Sequence, residues 1–157
     1  MPQPPLCHGI DRLDTRPGFG SHPSRRERGL SNSERVGTRL HRPPVFAGTI
    51  NTLVHVAQPL SDAALIEAIS IATEARTTAV LDAGVERAGL TITGTGTDCI
   101  AIAAPLGDNA ACYAGKHTAI GEAIGAAVYE ATADGIRDWK TDCIAPGEVV
   151  SAEVANS

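Results

Sequence analysis

Two short segments of the chain concentrate residues that can move protons close to a ligand. Residues 93–98 read TGTGTD and residues 113–118 read YAGKHT, so one segment ends in a carboxylate and the other carries an imidazole. Carboxylates and imidazoles are common general acids and bases, and glycine lets the backbone approach a ligand closely. The two segments therefore predict a functional site formed by loops on an α/β scaffold.

The glycine-rich segment allows two interpretations. It lacks the Gly-Lys-Ser/Thr ending of a P-loop and no helix pattern follows it directly, so it is neither a Walker motif nor a dinucleotide fingerprint. Its backbone amides could cradle an anion, with threonine hydroxyls beside them. The alternative is an ordinary glycine-containing turn. Asp98, which precedes an apolar run, is then either a general base or the carboxylate that caps the turn.

The second segment stands immediately before a helix pattern. The positive end of that helix favours a neutral imidazole, so His117 is predicted to accept a proton. The alternative is that His117 or Thr118 only caps the helix. Glu122, in the first turn, either complements the helix dipole or donates a proton.

A metal site and a serine nucleophile have less support in the sequence than acid–base catalysis by these segments. His55, Asp98, His117 and Glu122 could together bind a metal, but no H-x-x-x-H or H-E-x-x-H spacing is present. The chain also has no G-x-S-x-G segment, which disfavours a Ser-His-Asp triad. The sequence therefore predicts neither a metal nor a cofactor.

Hydrophobic patterns predict the first elements that position these residues. FAGTINTLVHVA predicts a strand with Asn51 and His55 on one face. Ser61 predicts an N-cap, and the helix that follows is expected to stop at Gly84. The predicted buried stripe of this helix comprises Leu65, Ile69, Ala72, Ala79 and Val80.

The second half of the pattern predicts two strands and a helix. GLTIT and CIAIAAP are the strands, with residues 94–98 between them as a hairpin loop or a wider cradle. The helix is expected to stop at Gly135, with Gly121 and Gly125 letting its backbone lie against a sheet. Its predicted stripe comprises Ile120, Ile124, Ala127, Val128 and Ala131. The order strand, helix, strand, strand, helix predicts a compact, layered α/β unit within a larger mixed sheet.

Composition divides the chain near Val45. Residues 1–44 are rich in Pro, Gly, Ser and Arg and have no apolar period. They are predicted to be a disordered tail, a basic arm, or a stretch foreign to the fold such as the product of a shifted reading frame. Residues 45–140 are predicted to form the α/β domain, and residues 141–157 a flexible tail.

Charge and cysteine usage point to a cytoplasmic protein. Residues 1–46 contain eight arginines and four acidic residues, whereas residues 47–157 contain five basic and fourteen acidic residues. The acidic body argues against nucleic-acid binding and suits a salt-rich cytoplasm. No apolar run reaches the ~18 residues of a membrane span, and no signal segment opens the chain. The four scattered cysteines favour reduced thiols, with Cys99 and Cys112 predicted to be buried.

Four segments in this order and spacing resemble the adenosylcobinamide amidohydrolase family of corrinoid-salvage enzymes: GTINTLV, ATEART, TGTGTD and YAGKHTAIGEAIGAAVYEA. The resemblance runs from Gly48 to Trp139. It implies the C-terminal half of such an enzyme, so a truncated member is expected. It also implies hydrolysis of the amide that joins aminopropanol to the corrin ring of adenosylcobinamide, giving adenosylcobyric acid for coenzyme B12 synthesis. The expected partner is this corrinoid, with no nucleic acid and no membrane, and with a homo-oligomer left open.

Amide hydrolysis requires a base, donors for the oxyanion and an acid for the departing amine. The hypothesis assigns the base to Asp98 or His117 and the acid to Glu122. The oxyanion or the amide side chains of the corrin would be held by Gly94, Thr95, Gly96 and Thr97, and the ligand would also contact Asn51 and Tyr113. Two alternatives stay open: an inactive corrinoid-binding fragment, and an enzyme that holds a phosphate-bearing ligand on the GTGTD segment.

Overall fold

The computed structural model describes Leu30, residues 32–39 and residues 49–143. The elements of this part of the chain are β1 (Ser33–Glu34), β2 (Asn51–His55), α1 (Asp62–Asp82), β3 (Glu86–Arg87), β4 (Leu90–Thr91), β5 (Gly94–Thr95), β6 (Cys99–Ala103) and α2 (Ala119–Cys143). This combination of helices and short strands confirms the predicted α/β class. The expectations for residues 1–29, 31, 40–48 and 144–157 lie outside the described residues.

A β-α-β unit forms the centre of the fold. β2 and β6 pair in parallel, with Asn51 opposite Cys99 and His55 opposite Ala103, and parallel strands need a long crossover such as the one that contains α1. One face of the strand pair packs on the helices, with Val54 only 3% exposed. The other face carries Asn51 and His55. The prediction that these two residues share a strand face is confirmed.

The ends of α1 were predicted correctly, and its buried face in part, since Ala72, Ala79 and Val80 are buried as predicted. The Ser61 hydroxyl accepts a hydrogen bond from the Ala64 amide at 3.2 Å, and Gly84 follows the helix with a φ of +63°, a conformation that favours glycine. Ile69, predicted to be buried, is 44% exposed, whereas Ile71 is 8% exposed. The prediction failed because α1 carries apolar residues on several faces, so the period alone does not fix which face is buried.

α2 continues through the predicted stop at Gly135 and ends at Cys143. Ile136 is 5% exposed and packs in a core cluster with Leu30, Ile50, Val80 and Ile92. Burial of such a side chain contributes about 1.5–3 kcal/mol, which exceeds the roughly 1 kcal/mol by which glycine disfavours a helix interior. The buried side chains of α2 recur at every fourth position: Ile120, Ile124, Val128, Thr132 and Ile136. Ala127 and Ala131, predicted in this stripe, are half-buried.

The two glycines near the start of α2 lie against a loop and a helix, not against a sheet as predicted. A Cβ on Gly121 would overlap the backbone carbonyl oxygens of Ala114 and Gly115. A Cβ on Gly125 would lie 3.7 Å from the Cγ2 atom of Ile71 in α1, an ordinary contact. Gly121 therefore permits close contact between α2 and the loop that precedes it.

Part of the segment predicted to be unstructured belongs to the fold. β1 pairs antiparallel with β5, with Ser33 opposite Thr95, and Leu30 is 4% exposed. The Arg35 side chain donates a hydrogen bond to the Thr91 carbonyl at 2.8 Å. The expectation for residues 1–44 therefore fails at residue 30 and at residues 32–39. A two-residue strand and a single buried leucine have no periodic pattern that composition could reveal.

The GLTIT segment does not form one strand followed by a hairpin loop. β4 pairs with β3 across a turn at Ala88 and Gly89, whose φ angles are 50° and 73°, as in the type I′ turns of two-residue hairpins. β5 then leaves this hairpin to pair with β1. The residues between GLTIT and CIAIAAP therefore join two different sheets.

Side chains of α2 secure the end of α1. The Lys140 ammonium donates to the Ala83 carbonyl at 2.6 Å, and the Tyr129 hydroxyl donates to the Asp82 carboxylate at 2.9 Å. The hydrogen bond to Asp82, with the negative charge of that group, raises the pKa of Tyr129 above its ordinary value. Neither described helix is long and apolar enough to cross a membrane.

Candidate functional site

The predicted site residues fall into two groups in the fold. The first lies where β2 and β6 begin and comprises Asn51, Gly94, Thr95, Gly96, Thr97 and Asp98; we call residues 94–98 the Asp98 turn. The second comprises Tyr113, His117 and Glu122; we call residues 113–118 the α2 entry loop. The first group meets α1 at Arg76 and the second at Glu67, and Lys116 of the α2 entry loop also pairs with Glu74 of α1.

Four donors hold the carboxylate of Asp98. Oδ1 accepts from the Ile50 amide at 3.1 Å and from the Thr95 hydroxyl. Oδ2 accepts from the Thr95 amide at 2.9 Å and from the Arg76 guanidinium. The Asp98 and Arg76 side chains are 12% and 11% exposed. A nearly buried carboxylate with this many donors is poorly placed to take a proton from water. The geometry favours the capping role over the base role.

Two backbone amides of the Asp98 turn also have hydrogen-bond partners within the protein. The Thr95 amide donates to Asp98, and the Gly96 amide donates to the Asn32 carbonyl at 2.9 Å. A Cβ on Gly94 would overlap Oδ2 of Asp98. Glycine at position 94 thus leaves room for the ion pair of Asp98. Since both amides point into the fold, neither is directed at an oxyanion or a phosphate.

Asn51 and Thr97 lie beside the turn and are exposed. The Thr49 hydroxyl lies 3.5 Å from Oδ1 of Asn51 and donates to the Thr97 carbonyl at 2.8 Å. Their exposure is compatible with the ligand contacts that we predicted for these two residues.

Replacing Asp98 by Asn separates the capping role from the catalytic role. The substitution removes the charge opposite Arg76, and breaking one half of a buried ion pair costs about 3–5 kcal/mol. We expect urea titration to show a free energy of unfolding lower by about 3 kcal/mol, with kcat of the folded enzyme reduced by less than about tenfold. Asp134→Asn is the control, because its pair with Arg137 is on the surface, with side chains 64% and 70% exposed. Unchanged stability with kcat reduced by about 10²-fold would instead identify Asp98 as a base.

Thr118 organises the α2 entry loop. Its hydroxyl accepts a hydrogen bond from the Gly121 amide at 3.0 Å and donates to the Gly115 carbonyl at 2.8 Å. Its amide donates to the same carbonyl at 2.9 Å. Of the two residues considered as helix caps, the structure selects Thr118. The imidazole of His117 is exposed and remains accessible for proton transfer.

His117 and Glu122 flank the start of α2. With Thr118 as the N-cap, His117 is the residue before the cap and Glu122 is the fourth residue of the helix. His117, one of the two candidate bases, and Glu122, the candidate acid, are therefore both exposed near the first turn of α2.

Two glutamates of α1 face this loop, and the sequence analysis did not single out Glu67. Oε2 of Glu67 accepts a hydrogen bond from the Ala114 amide at 2.6 Å. Oε1 of Glu74 pairs with Nζ of Lys116 at 2.5 Å. Glu67 and Glu74 are two helical turns apart and so lie on one face of α1. This spacing is the sequence signal that could have indicated that both glutamates contact the same loop.

Tyr113 opens the loop and is 64% exposed. An exposed tyrosine offers an apolar ring and a polar hydroxyl, the combination often found at binding surfaces. Cys112, next to it, and Cys99 are free thiols and both are exposed, contrary to the prediction that they are buried. Cys99 is exposed because β6 directs it to the uncovered face of the strand pair. Among residues 30, 32–39 and 49–143, no cluster of His, Cys, Asp and Glu side chains is arranged to hold a metal ion.

Comparison with known proteins identifies a family. A family model described as adenosylcobinamide amidohydrolase matches residues 28–144, which is most of the chain. Neither a curated protein nor a solved structure matches the chain. The family match begins ahead of β1, so it includes the buried Leu30 and the pairing of β1 with β5. It extends beyond the Gly48–Trp139 stretch in which the sequence analysis noted the resemblance.

Proposed function

The chain belongs to the adenosylcobinamide amidohydrolase family, and we propose that it hydrolyses the amide bond between aminopropanol and the corrin ring of adenosylcobinamide. The products are aminopropanol and adenosylcobyric acid, and the reaction serves corrinoid salvage. One observation supports the α2 entry loop as the place of reaction. There an exposed imidazole and an exposed carboxylate flank the start of a helix, next to an exposed tyrosine.

In this proposal His117 is the base and Glu122 the acid. His117 takes a proton from water while the water oxygen bonds to the amide carbon. Glu122, in its protonated form, donates a proton to the amide nitrogen as the carbon–nitrogen bond breaks, so aminopropanol leaves as a neutral amine. The proton taken up by His117 then passes through water to Glu122, which restores both groups. The positive end of α2 stabilises the oxyanion that forms between these two steps. Tyr113 contacts the ligand beside the scissile bond.

The Asp98 turn has a structural role in this mechanism. Its Thr95 and Gly96 amides are occupied and its carboxylate is paired with Arg76, so it fixes the starts of β2 and β6 against α1. This assignment replaces the hypothesis that residues 94–97 hold the oxyanion. Asn51 and Thr97 remain proposed contacts for the periphery of the corrinoid.

Incubation of the protein with adenosylcobinamide tests this proposal. We expect release of aminopropanol, measured by mass spectrometry, with adenosylcobyric acid as a control ligand that lacks the scissile amide. Binding of the corrinoid without release would identify an inactive corrinoid-binding protein. Thermal stabilisation by phosphate esters and none by corrinoids would favour the phosphate-ligand alternative, which the occupied amides of the Asp98 turn argue against.

A further inference from the structure

Three buried polar side chains in the interior of the fold have an atom without a hydrogen-bond partner. Oγ1 of Thr52, Nε of Arg76 and Oγ1 of Thr132 make no hydrogen bond within the part of the chain that the structure describes. The three residues are 8%, 9% and 2% exposed. A fourth such atom belongs to Trp139, seven residues beyond Thr132 on α2. Since the large majority of buried polar side-chain atoms in proteins are hydrogen-bonded, the first three indicate a shared partner if they lie close together.

The three residues occupy one level of the core, between its two apolar clusters. The first cluster includes Val54, Ala72 and Val128, and the second includes Ile50, Val80 and Ile136. Thr52 is midway between residues 50 and 54, Arg76 between residues 72 and 80, and Thr132 between residues 128 and 136. The spans also match in length, because four residues of strand cover about 13 Å and eight residues of helix about 12 Å. Each element therefore passes from one cluster to the other with its unpartnered group halfway.

The hydroxyl of Thr132 is not used by its own helix. Other threonines of α1 and α2 donate a hydrogen bond to the carbonyl four residues earlier, at 2.8–2.9 Å: Thr73, Thr78 and Thr141. Thr132 makes no such bond. Its hydroxyl therefore remains available for a partner between the helices and β2.

We propose that Thr52, Arg76 and Thr132 bind one internal water molecule. The water accepts a hydrogen bond from Nε–H of Arg76 and donates to the two threonine hydroxyls, each of which can accept. Internal waters typically make about three hydrogen bonds of this kind to polar groups that otherwise lack partners. The buried neighbours of Arg76 on α1 are Ala72 and Ala79, and these small side chains leave room at this level.

The water extends the network of the Asp98 turn into the core. One nitrogen of the Arg76 guanidinium pairs with Oδ2 of Asp98, and Nε holds the water. A single side chain of α1 therefore connects the turn before β6 with Thr52 on β2 and Thr132 on α2. This site is separate from the α2 entry loop, so the inference does not depend on the proposed function.

A high-resolution crystal structure of the whole chain tests the proposal directly. We expect an ordered water within about 3.2 Å of Oγ1 of Thr52, Nε of Arg76 and Oγ1 of Thr132. No water within hydrogen-bond distance of Nε, or a direct hydrogen bond between the two threonines in its place, would overturn the proposal.

Thr132→Val tests the same site in solution. Valine has nearly the shape of threonine but cannot bind the water, so the remaining groups lose a partner. We expect urea titration to show an unfolding equilibrium constant raised about tenfold, and the same for Thr52→Val. The double variant should lose less than the two single losses together, because both remove one shared water.

Thr78→Val is the matched control, because its exposed hydroxyl bonds only to the Glu74 carbonyl of its own helix, and its stability should be near native. Native or higher stability in Thr132→Val would contradict the proposal, because replacing a buried hydroxyl that has no partner is favourable. Fully additive losses in the double variant would also contradict it, since they would show that the two threonines do not share a partner.

Discussion

Replacing His117 by Asn lowers kcat for adenosylcobinamide hydrolysis by about 10²-fold or more and leaves the melting temperature unchanged. General base catalysis contributes about 10²–10⁴-fold to a rate, and asparagine cannot take the proton. Stability is unaffected because His117 is exposed and the helix cap is Thr118. Steady-state kinetics with a thermal melt of the same sample measures both quantities.

His55→Asn is the matched control for this experiment. His55 is an exposed histidine at the end of β2, and it has no role in the proposed mechanism. Its replacement should leave kcat and the melting temperature native. A near-native kcat in His117→Asn would remove His117 from the mechanism. A melting temperature several degrees lower would show that the side chain supports the fold.

Gly121→Ala destabilises the protein by about 3 kcal/mol, whereas Gly125→Ala, one helical turn later, does not. A methyl group at position 121 would overlap the carbonyl oxygens of Ala114 and Gly115, which are backbone atoms that cannot rotate away. Overpacking of this kind costs about 1–3 kcal/mol or more. At position 125 the methyl group meets Ile71 at 3.7 Å, and alanine gains up to about 1 kcal/mol over glycine in a helix interior.

Urea titration of the two variants measures the difference, and the kinetics of Gly121→Ala extend the test to the site. Because the overlap lies at the α2 entry loop, we expect this variant to lose activity even where it remains folded. Equal stabilities for the two variants would show that the entry loop does not pack on α2 as described. Native kcat in a folded Gly121→Ala variant would show that the loop position does not matter for catalysis.

Local signals in the sequence predicted α1 well and α2 less well, for physical reasons. Ser61 and Gly84 end α1 through contacts within a few residues, and such contacts can be read from sequence. Gly135 was expected to end α2, but Ile136 packs against Leu30, a residue distant in the chain. A contact between residues so far apart in the chain produces no local sequence pattern. The pairing of β1 with β5 was missed for the same reason.

The candidate residues lie on both sides of β6 in the chain. Asp98 precedes β6 and the α2 entry loop follows it, and a five-residue strand carries the chain roughly 16 Å. The strand therefore separates the two segments, although both contact α1, through Arg76 and Glu74. Glu67 was overlooked because a lone glutamate on a helix usually belongs to a solvated face. Its spacing from Glu74 becomes informative only when the structure shows that both carboxylates contact the α2 entry loop.

The most direct test of the central claim is hydrolysis of adenosylcobinamide in water enriched in oxygen-18, with both products followed by mass spectrometry. The proposal predicts that the native protein forms aminopropanol and adenosylcobyric acid in equal amounts, with one heavy oxygen in the new carboxylate, and that His117→Asn forms neither at a comparable rate. If the native protein binds adenosylcobinamide but forms no adenosylcobyric acid, the chain is not the amidohydrolase that its family and its α2 entry loop indicate.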